Sequence, residues 1–133
     1  MPVRRSDLVA TGLLAATALA GVVLWNDLPA EMAIHFDASG TPDNYVDKPL
    51  GVLLAPAIGF GAIWFTRLSA RADPSADPRV IAGAVYFVGG LIAYVQALVL
   101  AYNLGHRFSM TTALVPVFVA SAVLVVWAVY RER

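Results

Sequence analysis

The residues able to do chemistry fall mostly in one stretch, LPAEMAIHFDASGTPDNYVDKPLG, from Leu28 to Gly51. It carries Glu31, His35, Asp37, Asp43 and Asp47, side chains that elsewhere ligate metals, move protons or hold cationic and hydrogen-bonding partners. The second histidine, His106, lies far away in NLGHRFS. No pair has the H-x-x-x-H spacing that sets two imidazoles on one helix face, and DASGTPDNYVD departs from the calcium-loop pattern at its ligand positions. No metal is expected. G-x-S-x-G, H-E-x-x-H and G-x-x-x-x-G-K are all absent, and the polar groups sit in one loop instead of converging from several elements. The expectation is a non-enzymatic protein without a cofactor, in which those five residues are candidate ligand-binding groups.

The elements that must position this loop are apolar. Of 133 residues, 59% are hydrophobic and 14% charged, against about 25% charged in an ordinary soluble domain. Four runs without Asp, Glu, Lys, Arg or His cover residues 8–25, 50–66, 80–102 and 112–130. At about 1.5 Å rise per residue such runs cross or nearly cross a hydrocarbon core of roughly 30 Å. None alternates like a barrel strand, and backbone groups facing lipid must be satisfied internally, so each is read as a helix. The expected fold is an all-α integral membrane protein. It is a single membrane domain over residues 1–133, a four-transmembrane-helix bundle with a β-hairpin-like or irregular extracytoplasmic loop between helices one and two. The lipid bilayer is its first partner. A net charge of zero and the lack of a basic run argue against nucleic acid, and the absence of cysteine removes disulfides and thiolate chemistry.

Seven of the nine basic residues (Arg4, Arg5, Arg67, Arg71, Arg79, Arg131 and Arg133) flank the runs on one side, leaving Lys48 and Arg107 opposite. The positive-inside rule therefore puts both termini in the cytoplasm of a cell-membrane, multi-pass protein and the acidic loop outside. Trp25, Tyr45 and Tyr102 then mark the outer interface, and Trp64, Trp127 and Tyr130 the inner one. The N-terminal MPVRRSDLVATGLLAATALAG imitates a cleavable signal, but its apolar run continues to Trp25, long enough for a span. Cleavage is the alternative, and it would leave the first loop outside.

Small residues four apart mark expected contact faces: Gly12, Ala16 and Ala20; Ala57 and Gly61; Gly89, Ala93, Ala97 and Ala101. This pattern places helix three centrally. Pro56 and Pro116, read as internal to helices two and four, each free a carbonyl for a neighbour to satisfy. Gln96, the only amide well inside a span, is expected to make an interhelical hydrogen bond. No carboxylate, His, Lys or Arg lies within the runs, which disfavours ion-coupled transport and leaves passive passage open.

In the loop, Met32, Ile34 and Phe36 alternate with Glu31, Ala33, His35 and Asp37, the period of a strand. One face is expected to rest on the bundle or lipid headgroups, and the other to show Glu31, His35 and Asp37 to water. DASG and then TPDN read as successive turns shaped by Gly40 and Pro42, after which NYVDK runs back. Pro29 precedes the strand. Pro49 suits the first turn of helix two, with Asp47 near its positive end.

The series from Trp25 to Pro49, followed by LGVLLAPAIGFGAIW, resembles the N-terminal uncharacterised membrane domain of the SdpI-type immunity-protein family. Leu28, Pro29, Ile34, His35, Phe36, Gly40, Pro42, Asp43 and Lys48 fall at the positions of its recurring pattern, over about residues 8–66. Helices three and four carry none of it. The resemblance implies a membrane component that protects against an extracellular peptide toxin or signals its presence. The leading expectation is thus an immunity or signalling component whose outer loop meets an extracellular peptide or envelope component. The alternative is a small membrane subunit or passive transport component that acts through helix packing, as a homo-oligomer or with a membrane partner.

Overall fold

A computed structural model of the chain describes residues 4–133. Helix α1 (Arg5–Val23) ends in a short 3-10 turn (Trp25–Asp27), followed by an antiparallel hairpin of β1 (Glu31–Phe36) and β2 (Pro42–Asp47). Helix α2 (Lys48–Ala72), α3 (Pro78–Asn103), a one-turn α4 (Met110–Ala113) and α5 (Val115–Arg131) complete it. Among the described residues four helical segments, counting Met110–Arg131 as one, are long and apolar enough to cross a membrane.

Sequence chemistry explains where the helices start. Pro49, Pro78 and Pro116 stand in first turns, where a missing N–H costs no helical bond. Asp77 caps α3 by accepting from the Arg79 N–H at 2.8 Å, and Ser109 caps α4 by accepting from the Thr112 N–H. Helix α2 runs past the expected end at Thr66 because Arg67 has a partner on α1. Its Nε and Nη2 donate to Asp7 Oδ1 at 2.9 and 2.7 Å, and Nη2 also reaches Ser6 Oγ at 2.9 Å. At the same end Arg131 donates to Asp77 at 3.0 Å, tying the close of α5 to the start of α3.

Helices α1, α2 and α3 pack on one another, and α3 also meets β1 and α5. One apolar cluster joins Ala10, Leu14, Ile63 and Val85 toward the arginine-rich end; the other joins Leu28, Met32, Val52, Val99 and Leu100 beneath the hairpin. No residue of α5 is buried.

The contact faces differ from those expected. Gly12, Ala16, Ala57, Gly61 and Ala97 are exposed, and the buried stripes run through Ser6, Ala10, Leu14 and Gly21 on α1 and Val52, Pro56, Gly59 and Ile63 on α2. Small-residue spacing alone picks a face without knowing its neighbour, and here larger side chains seat into glycines across the interface. Gly89 does sit at a contact: a Cβ there would lie 2.7 Å from Ala10 Cα, so α1 and α3 touch backbone to backbone.

Helix α3 also supplies the polar links to its neighbours. Pro56 lies inside α2 and leaves the Val52 carbonyl, four residues earlier, without its helical donor. Buried Gln96 donates to the Gly51 carbonyl at 2.9 Å and to the Val52 carbonyl at 3.4 Å. Pro116, expected within a continuous fourth helix, instead opens α5 after a break at Leu114. Its ring cannot follow an unbroken helical ladder, and the Val117 N–H bonds Leu114 rather than Ala113. Tyr94 Oη donates to the Ala113 carbonyl at 2.6 Å.

Candidate functional site

The hairpin forms from an alternating strand, one turn and a return strand. Asp37 organises the turn. Its backbone carbonyl accepts from the Gly40 N–H at 2.9 Å, and its Oδ1 accepts from Ser39 Oγ at 2.6 Å, the Ser39 N–H at 2.9 Å and the Thr41 N–H at 3.0 Å. The Ser39 hydroxyl, and then the Thr41 N–H, hold the Asp37 carboxyl below its usual range. Gly40 has φ +83°, a conformation that side chains other than hydrogen disfavour. The second expected turn does not occur: Pro42, Asp43 and Asn44 already belong to β2. Proline suits the first residue of an edge strand, where it removes no ladder bond.

The register pairs Glu31 with Asp47, Met32 with Val46 and Ala33 with Tyr45, then slips between Ala33 and His35 and again between His35 and Phe36. Met32 is fully buried and packs on Gly51, where a Cβ would lie 2.6 Å from its Sδ. Ile34 and Phe36 are half-buried, and Glu31, His35 and Asp37 are exposed. Ala33 departs from the expected alternation, for it is only 2% exposed.

Asn103, at the end of α3, is the reason. Its Oδ1 accepts from the Ala33 N–H at 2.8 Å, and its Nδ2 donates to the Ala33 carbonyl at 2.8 Å and to the Val99 carbonyl at 2.8 Å. The side-chain amide thus pairs with β1 as a neighbouring strand's peptide group would. Further ties hold the hairpin down. Thr111 Oγ1 donates to the Ala38 carbonyl at 3.1 Å at the tip. Lys48 Nζ donates to the Trp25 carbonyl at 2.8 Å and stands 5.5 Å from that ring's centre at the base. Phe36 meets Tyr102 edge to face at 4.9 Å, and Arg107 lies over the same Tyr102 ring.

The candidate ligand residues therefore divide. Asp37 is committed to its turn. His35 Nδ1 and Asp43 Oδ1 stand 2.6 Å apart on the exposed face. Glu31 and Asp47 oppose each other across the ladder, and among the described residues neither carboxylate has a hydrogen-bond or ion-pair partner. Asp47 occupies the N-cap position of α2 without capping it through its side chain. Pro29 is exposed ahead of β1, and Pro49 stands in the first turn of α2, as expected. Among the described residues no three His, Asp or Glu side chains gather to hold a metal. His106 stays apart in the loop after α3.

Residues 12–60 match the model of a family described as a domain of unknown function, DUF1648. This is the uncharacterised domain found in SdpI-like proteins. No curated protein and no solved structure matches the chain. The DUF1648 match takes in most of α1, the hairpin and the first half of α2, and ends before α3. The side chains that fasten the matched part, Gln96 and Asn103, thus come from outside it. Sequence reasoning singled out Gln96 but not Asn103, whose one signal is an amide closing an apolar helix.

Proposed function

We propose that this protein is a non-enzymatic, multi-pass membrane component of the SdpI-like immunity or signalling type, whose hairpin meets an extracellular peptide or envelope component. In this reading both termini lie in the cytoplasm and the hairpin faces outward. The observation that carries it is the hairpin itself, an ordered element strapped to α3 and α4 whose outer face shows Glu31, His35, Asp43 and Asp47 to solvent. Charge supports the orientation. The hairpin end carries Asp27, Glu31, Asp37, Asp43 and Asp47 against Lys48 and Arg107, whereas seven arginines collect at the opposite end. A surface so placed has no convergent catalytic groups and suits recognition.

Deleting the gene and challenging cells with candidate extracellular peptides tests this. Increased sensitivity to at least one peptide is expected, restored by the native chain and not by one with Glu31 and Asp47 both changed to Lys; unchanged sensitivity throughout would count against immunity. A second reading, a subunit acting through helix packing, draws on the outward side of α5, where Phe118, Val123, Val126 and Tyr130 are each more than half exposed. It predicts cross-linking between α5 and another membrane helix.

A further inference from the structure

We propose that the outer edge of β2 takes up an extended, cationic peptide segment as a third strand. This rests on the reading of the hairpin as a recognition surface, and it names the partner's chemistry and its mode of docking.

The backbone pattern places the free edge. In an antiparallel pair, directly opposed residues alternate between those that exchange N–H and C=O groups and those whose groups point away from one another. The Lys48 N–H donates to the Ala30 carbonyl at 2.9 Å, which makes Ala30 and Lys48 an exchanging pair. Glu31 and Asp47 are then a non-exchanging pair, Met32 and Val46 an exchanging one, and Ala33 and Tyr45 again non-exchanging. Asn103 checks this independently, because both backbone groups of Ala33 point outward to its amide. The Tyr45 N–H and C=O, and the Asp47 N–H, must therefore point away from β1.

The two edges of the hairpin are not equivalent. Asn103 closes the β1 edge, and α2 and α3 pack on that strand. Helix α2 also meets β2, but among the described residues no side chain hydrogen-bonds a backbone group of that strand, and Asp43, Asn44, Tyr45 and Asp47 are all exposed. An open strand edge is a template for another extended chain.

Charge selects the occupant. A second copy would bring its own acidic edge, and like charges facing across a ladder repel. Glu31 and Asp47 already face each other in this way, and the two cations at this end are engaged with Trp25 and Tyr102. A strand with Lys or Arg on alternate positions would set its cations beside Asp43 and Asp47 on the outer face while its backbone paired with Tyr45.

The test uses the full chain in detergent micelles and two probes. One is an eight-residue peptide of alternating Lys and Thr; the other is its twin methylated at every backbone nitrogen, which keeps every charge and has no backbone N–H to donate. The first should bind, bind less well as salt is raised, and slow hydrogen exchange at the Tyr45 and Asp47 amides. The twin should bind about tenfold or more weaker, as loss of the main-chain bonds implies. Equal binding of the twins, or binding that leaves both amides unprotected, overturns strand addition. If the twins bind alike while the Glu31→Lys, Asp47→Lys chain alters sensitivity in cells, the recognition reading stands and strand addition falls. If the twins differ while gene deletion changes no sensitivity, strand addition stands and the immunity role falls.

Discussion

Replacing Asn103 with Leu removes the amide that pairs with β1 while keeping a side chain of similar size. Ala33 is 2% exposed, so its N–H and C=O would lose their partners in a place that water reaches poorly. Each orphaned group costs about 1–3 kcal/mol. The bond to the Val99 carbonyl adds little, because that carbonyl already serves the α3 ladder. The hairpin lies at the end of the bundle, where water can partly replace Asn103, so the lower half of the range applies: about 2–4 kcal/mol of hairpin docking. At 1.4 kcal/mol per factor of ten, the amides of Met32 and Ala33 should exchange roughly 30- to 1,000-fold faster. Hydrogen exchange on the full chain in micelles reads this directly, with the amides of Val85 and Gly89 in α3 as internal controls. Asn103→Asp keeps the acceptor for the Ala33 N–H but sets a carboxylate oxygen against the Ala33 and Val99 carbonyls, so at neutral pH it should free the hairpin at least as far as Leu does. Exchange at Ala33 within threefold of the native rate would refute the idea that this side chain holds the hairpin down.

Three other outcomes follow from the geometry. Gln96→Leu should destabilise the chain by about 1–2 kcal/mol, and less in a Pro56→Ala background, where a restored N–H can serve the Val52 carbonyl; thermal unfolding of the four chains should give a coupling of about 0.5–2 kcal/mol, and strict additivity would break the link. Gly89→Ala should cost about 1–3 kcal/mol because the new methyl meets Ala10 backbone, whereas Gly12→Ala and Gly61→Ala, with nothing within 4 Å, should be neutral or slightly stabilising in the same melts. The Asp37 carboxyl is lowered in the folded hairpin, so its contribution is full above the ordinary carboxylate value of about 3.9 and is lost as pH falls through the lower folded value. The Ser39 and Thr41 amide signals should therefore titrate below pH 3.9 or so, and a midpoint at or above it would show that the turn bonds do not hold in solution.

Much of the frame is legible in the chain itself. Runs without charge are long enough to specify the four apolar helices, and prolines with Asp or Ser mark several of their starts. Strict alternation around Met32 and the Asp37–Gly40 spacing specify a hairpin, because these are local properties with periods of two and four. The DUF1648 match covers the same local stretch. Other features depend on which residues meet across distance. Glycine spacing does not reveal that Gly89 faces Ala10 while Gly12 faces nothing, since a contact face exists only once the partner helix is in place. Asn103 and Ala33 are 70 positions apart, and nothing near either residue announces that an amide would complete a strand edge. The acidic stretch was visible as a surface. Asp37 serves its own turn through local bonds to Ser39, Gly40 and Thr41, whereas only the packing of α3 decided that β1 is closed at Ala33, because backbone groups are satisfied by whatever the fold brings within about 3 Å.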